Sequence, residues 1–156
     1  MNTDKKISRR EALKRMGFAV MSGAIASSGL LSLASCETKR SKRIIFYFTG
    51  TGNSLYIARQ LAGENAELLS IPQMVKRGKY EFEADEIGIV YPIYGHMPPY
   101  MVRQFIQKAK LKAEYKFAVL TYGARKCDAV EIWDRISRKA DNAFDYICLL
   151  YTSDAA

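Results

Sequence analysis

The run Arg43-Ile44-Ile45-Phe46-Tyr47-Phe48 is apolar after its first residue and rich in β-branched and aromatic side chains, which predicts a central strand. The period then changes. Leu55, Ala58, Leu61 and Ala62 share one face at helical spacing, with Arg59 and Gln60 turned away, and Gly63 ends the helix. Glu67 to Ile71 reads as a short strand stopped by Pro72, and the polar stretch Gln73 to Glu86 as a surface connection. Ile87 to Tyr91 is the next buried strand, halted by Pro92, and a loop covers Ile93 to Pro98. Pro99 suits the first turn of a helix whose Met101, Val102, Phe105, Ile106 and Ala109 form an apolar stripe. Tyr115 to Tyr122 is a further strand and Gly123 to Lys126 a turn. Asp128 with Glu131 reads as a capping box for a helix that buries Ala129, Trp133, Ile136 and Ala140 and ends around Ala143.

Nearly continuous apolar strands joined by amphipathic helices imply an α/β protein with a parallel sheet covered on both faces. Four strands are visible, and at least one more strand and helix are expected beyond the last helix.

Both ends carry other signals. The first 36 residues have a basic start with Arg9-Arg10, a mildly apolar segment from Met16 to Ala34 broken by Gly17, Gly23 and Gly29, and small residues before Cys36. The glycines weaken a membrane-spanning or ordinary amphipathic helix, so an export segment is expected. It resembles a twin-arginine signal, and Leu33-Ala34-Ser35-Cys36 resembles a bacterial lipoprotein cleavage box. That likeness implies lipidation of Cys36 and a tether on the outer face of the cytoplasmic membrane. Residues 37–42 are then a basic linker and 43–147 the folded domain. At the other end, Cys148 to Ala156 resembles the translation of a sequencing-library adapter, which implies a domain cut before its last strand and helix. The alternative is a genuine strand, Cys148-Leu149-Leu150-Tyr151-Thr152, with a frayed tail.

Charge refines the picture. The whole chain carries +8, but residues 37–147 hold 18 lysines and arginines against 13 carboxylates, a balance of +5. Such a field suits anionic partners or a membrane surface, without the arginine–aromatic clustering that marks nucleic-acid binding. The three cysteines give no disulfide framework.

The chemistry concentrates where the first strand meets the first helix, at Phe46-Tyr47-Phe48-Thr49-Gly50-Thr51-Gly52-Asn53-Ser54. Open parallel sheets bind ligands at the carboxyl ends of their strands, and a helix start offers free N–H groups to an anion. Gly50 and Gly52 permit close backbone approach, while Thr49, Thr51, Asn53 and Ser54 add donors. A P-loop is excluded, because no lysine follows either glycine. A dinucleotide fingerprint is excluded too, because Leu55 stands where the third glycine is needed.

The hexapeptide Thr49 to Ser54 after an apolar strand resembles the phosphate loop of flavodoxins. The segments IIFYFTGTGNSLYIARQLA, GIVYPIYGHMPPYMVRQFI and KFAVLTYG are similar to the flavodoxin half of bacterial flavodoxin–ferredoxin fusion proteins. The resemblance implies a flavodoxin-like three-layer sandwich that binds FMN. Thr49, Gly50, Thr51, Gly52, Asn53 and Ser54 would then wrap the phosphate. Pro92, Ile93, Tyr94 and Gly95 would form the second flavin loop, with Tyr94 against the ring, and Tyr122, Gly123 and Ala124 would begin the third. Tyr122 packing beneath the loop is the competing reading. His96 and Cys127 receive no catalytic or metal role.

The chain also departs from the pattern. It is basic where flavodoxins are usually acidic, and it places Arg125 and Lys126 near the expected flavin mouth. It contains no CxxCxxC motif, so iron–sulfur clusters are expected only if a ferredoxin domain lay downstream. The implied function is electron transfer to a redox partner protein or small acceptor. The alternatives are an FMN-dependent reductase and a cofactor-free binding module on the same fold.

Overall fold

The computed structural model describes residues 42–152. The expected signal, Cys36 and nearly all of the linker lie outside the described residues. In chain order the elements are β1 (Arg43–Tyr47), α1 (Asn53–Ala62), β2 (Ala66–Ser70), α2 (Ile71–Arg77), β3 (Glu81–Glu83) and β4 (Glu86–Pro92). They continue with α3 (Tyr100–Lys108), β5 (Lys110–Lys112), β6 (Tyr115–Tyr122), α4 (Ala129–Lys139) and β7 (Tyr146–Tyr151).

Five strands form one parallel sheet in the order β2-β1-β4-β6-β7, and β3 with β5 makes a separate parallel ladder. The interior strands are apolar on both faces, and their alternation divides the core. Ile44, Phe46, Ile87, Ile89, Tyr91, Ala118 and Leu120 face α2, α3 and α4, whose Met74, Phe105 and Trp133 are fully buried. Ile45, Val90 and Val119 face the other way, onto Ala58 and Ala62 of α1. Phe46 is the hub of the larger layer, with ring centroids 4.7 Å from Phe82 and 4.9 Å from Phe105. At the amino end of β1, Arg43 forms an ion pair with Glu86 at 2.6 Å and also reaches the Leu61 carbonyl, fastening β4 and α1 to β1.

Asn142 closes the far end of α4. It is only 1% exposed. Its Oδ1 accepts from the Leu111 N–H at 3.1 Å, and its Nδ2 donates to the carbonyls of Ala109 (2.8 Å), Ala140 (2.9 Å) and Ile106 (3.2 Å). One amide thus ties α3, β5 and the end of α4 together.

Several sequence expectations need correction. The supposed surface connection after Pro72 holds most of α2 and all of β3. Pro72 opens that helix rather than merely ending a strand, since a first-turn position needs no N–H. Ile71 and Met74 are buried at i, i+3, while Lys76 and Arg77 fall in the last turn, where cations suit the helix end. In β3 only Phe82 points inward, between exposed glutamates, an alternation too short to stand out in a charged stretch. Met101 lies beside the stripe of Val102, Phe105, Ile106 and Ala109 rather than in it, and is 42% exposed. Asp128 occupies the cap position of α4, but its φ of −90° and ψ of 32° are not the extended geometry of a capping side chain, and it makes no capping bond. Ala140 follows the helix and is only half-buried.

The fifth strand is also present. β7 crosses the expected domain boundary at Ile147 and pairs with β6 from Phe117↔Tyr146 to Tyr122↔Tyr151. Ile147 and Leu149 join one core layer while Cys148 and Leu150 join the other, so this segment alternates as an interior strand would.

Candidate functional site

The site lies where strand order reverses. From β1 the chain moves outward to β2, whereas β4, β6 and β7 continue on the other side, so the crevice at the carboxyl ends of β1 and β4 is the topological switch point. The loops after β1, β4 and β6 meet there because those strands are neighbours.

The first loop bends at Gly52, the cap of α1, with φ 101° and ψ −22°, a left-handed conformation that a side chain would resist. The Gly52 N–H donates to Thr49 Oγ1 at 2.9 Å, and the Gly52 carbonyl accepts from the Tyr56 N–H at 2.9 Å. The first-turn N–H groups of α1 lack intrahelical acceptors, and the turn carries no acidic residue. The arrangement favours an anion held by the backbone and the helix dipole rather than by a cationic side chain. Gly50, Thr51 and Gly52 are exposed and Thr49 and Asn53 half-buried. Ser54 differs: it is 1% exposed, and its hydroxyl shares a 2.8 Å hydrogen bond with Thr121 Oγ1 at the end of β6.

The second loop is a miniature hairpin. Tyr94 and Met97 exchange backbone hydrogen bonds of 3.0 and 3.1 Å around Gly95 and His96, whose φ angles of 52° and 74° are both left-handed, as tight hairpin turns require. Ile93 is tied by its N–H to the Thr121 carbonyl at 2.8 Å. Tyr94 reaches back over the first loop. Its ring stands edge-on to Phe48 with centroids 6.4 Å apart, and its hydroxyl lies so close to Gly50 that a Cβ there would overlap it. Beneath the loop, Tyr91 is buried and its hydroxyl has no hydrogen-bond partner among the described residues, and burial pushes the phenol well above the ordinary tyrosine range.

In the third loop Tyr122 packs against Tyr151 of β7 with ring centroids 5.6 Å apart, while Gly123, Ala124, Arg125 and Lys126 are exposed. Cys127, at φ 43°, brings its Sγ to 3.8 Å from His96 Nε2. Between the second and third loops lies a cavity of about 270 Å³ lined by Ile93, His96, Tyr122, Ala124, Arg125 and Cys127 among others. Among the described residues no three His, Cys, Asp or Glu side chains converge as metal ligands.

The thirteen cofactor residues expected from the sequence lie on the three loops or on the helix and strand ends that adjoin them, at one end of neighbouring strands, although the Ser54 hydroxyl and the Tyr122 ring are turned toward protein partners. Phe48 and Thr121 were not among the expected cofactor residues. Phe48 directly follows β1 and Thr121 is the last residue but one of β6, and only the pairing of β6 with β4 brings Thr121 beside the first loop.

No protein-family model matches the chain, and no curated protein is similar to it. Solved structures are similar. A flavoprotein from Lactobacillus acidophilus NCFM, crystallised in complex with FMN, aligns over 70% of this chain and 93% of its own, at 12% identity and a TM-score of 0.51. The two-electron reduced flavodoxin of Megasphaera elsdenii aligns over 72% of this chain and 88% of its own, at 16% identity and a TM-score of 0.53. With five parallel strands in the order β2-β1-β4-β6-β7 and helices packed against them, the chain has the flavodoxin-like α/β fold.

Proposed function

We propose that the domain binds FMN and serves as an electron-transfer flavoprotein. The observation that carries this reading is the first loop, an anion cradle built from backbone N–H groups and neutral donors at the same sheet end as the cavity between the next two loops. A phosphate would sit in the cradle and a planar ring in the cavity beyond it. The solved flavodoxin and the FMN-bound flavoprotein, which share the fold, support the same assignment.

In this reading Thr51, Asn53 and the first-turn N–H groups of α1 hold the phosphate, and Thr49 Oγ1 keeps Gly52 bent so that those groups converge. Tyr94 covers the ring from the second loop, and Gly123 and Ala124 bound its other side; exclusion of water and nearby backbone dipoles tune the potential. Bound FMN supplies the uptake and release of one or two electrons. No side chain of this chain needs to move a proton. Exposed Arg125 and Lys126 at the mouth favour an acidic redox partner. The N-terminal pattern supports export and lipidation at Cys36, which would hold the domain at the outer face of the membrane.

Purified full-length chain should quench FMN fluorescence on stoichiometric binding, and the reduced complex should pass electrons to an acceptor without sustained NAD(P)H oxidation. Sustained NAD(P)H turnover would make the protein a reductase. Absence of any flavin binding would leave a cofactor-free binding module.

A further inference from the structure

On the face of α3 and α4 that turns away from the sheet lies a cleft of about 520 Å³, lined by Arg103, Gln107, Arg135, Ile136, Lys139 and Ala140. None of these residues belongs to the three loops. Three are cations, and among the described residues no carboxylate lines the cleft. Among the described residues, Arg103, Arg135 and Lys139 form no ion pair, although Arg138 on the same helix is paired with Asp134 at 2.8 Å. Arg135 and Lys139 are four residues apart on one helix face, a like-charge spacing that slightly weakens the helix. Arg103 is held beside Tyr100, its guanidinium carbon 5.9 Å from the ring centroid. Its Nε is shielded from solvent and has no hydrogen-bond partner among the described residues.

We propose that this cleft is a second anion site, for a phosphate group, separate from the flavin cradle. Arg103 supplies directed N–H donors from α3, Arg135 and Lys139 supply charge from α4, and Gln107 adds a neutral donor at the rim. Ile136 and Ala140 give the floor an apolar surface suited to the organic part of a phosphate-bearing molecule, either a soluble phosphomonoester or a lipid headgroup.

Titration of the full chain with inorganic phosphate, followed residue by residue by amide NMR, separates the cleft from the flavin cradle. Saturable shifts at Arg103, Arg135, Ile136 and Lys139 are expected, with a midpoint at least about five-fold weaker in Arg103→Gln and in Arg135→Gln. Lys110→Gln, on the separate β3–β5 ladder, should leave that midpoint unchanged. Shifts confined to Gly50 to Leu55, or cleft shifts that stay linear and equal in all variants, would overturn the site. Sedimentation with phosphatidylglycerol vesicles, against phosphatidylcholine vesicles, identifies the source. Retention lost in Arg135→Gln assigns the phosphate to a lipid headgroup, and saturable phosphate binding without retention assigns it to a soluble ligand. If neither phosphate nor vesicles respond to the substitutions, the proposal fails.

Discussion

The hydroxyls of Ser54 and Thr121 meet at 2.8 Å in a position where each residue is 1% exposed, joining the first residues of α1 to the end of β6 across the strand between them. Either oxygen can be the donor. The bond fixes α1 against the strand that leads into the third loop, so two parts of the candidate site are set by one contact. Replacing Ser54 by alanine leaves a buried hydroxyl on Thr121 and should cost about 1–3 kcal/mol, with a smaller cost when Thr121→Val is added. Chemical denaturation of the two single variants and the double variant measures the coupling; additive losses would show that the hydroxyls do not act together.

Gly50 faces Tyr94 at a distance that leaves no room for a Cβ. Gly50→Ala should therefore displace Tyr94 and weaken FMN binding roughly ten-fold, about 1.4 kcal/mol. In Gly50→Ala/Tyr94→Ala the steric part is gone, so adding Gly50→Ala to a Tyr94→Ala background should change affinity little. Flavin fluorescence titration of the four proteins tests this, and an equal penalty in both backgrounds would place the effect of Gly50 elsewhere.

Tyr91 is buried with its hydroxyl unpaired and its ring 4.9 Å from Trp133. Tyr91→Phe removes the orphaned group and should stabilise the fold by about 1 kcal/mol. The burial-raised phenol also has a pH consequence. Above the ordinary tyrosine value of about 10 the unfolded chain loses this proton while the folded chain keeps it, so stability falls as pH rises, by up to about 1.4 kcal/mol per unit. Urea denaturation between neutral pH and pH 11 should show a shallower alkaline loss in Tyr91→Phe than in the parent. Parallel curves would contradict the assignment.

Asn142 donates to three carbonyls and accepts from one N–H while 1% exposed. Asn142→Ala strands those groups and should cost about 2–4 kcal/mol, and Asn142→Asp should not rescue it because the three acceptors lose their donor. Hydrogen exchange at the Leu111 amide should rise in Asn142→Ala, which no longer offers it an acceptor, and unchanged protection there would argue against the tie.

Sheet class and the order of strands and helices were legible because β1, β4 and β6 are long, nearly unbroken apolar runs, and helix faces such as Val102-Phe105-Ile106 repeat cleanly. The short elements were not. Ile71 with Met74, and Phe82 between two glutamates, offer one or two buried positions each among charged neighbours, and periodicity needs more than that. The three loops at the strand ends were legible, because glycine, proline and aromatic residues gather there. Their contacts were not: the Tyr94 hydroxyl over Gly50, the Ser54–Thr121 bond and the approach of His96 to Cys127 all depend on how neighbouring strands pair. The basic cleft was equally hidden, since Arg103 and Arg135 are separated by a whole β–α unit and no local pattern joins them.

Under the proposed function, Thr49 to Ser54 holds the phosphate of FMN. Fluorescence titration of the full-length chain with FMN and, in parallel, with riboflavin isolates that phosphate, because the two ligands share the ring and differ in the group placed at the cradle. Tight FMN binding with riboflavin at least about a hundred-fold weaker, roughly 2.7 kcal/mol, is the expected result. Equal affinities, or binding of neither ligand by the folded protein, would contradict it.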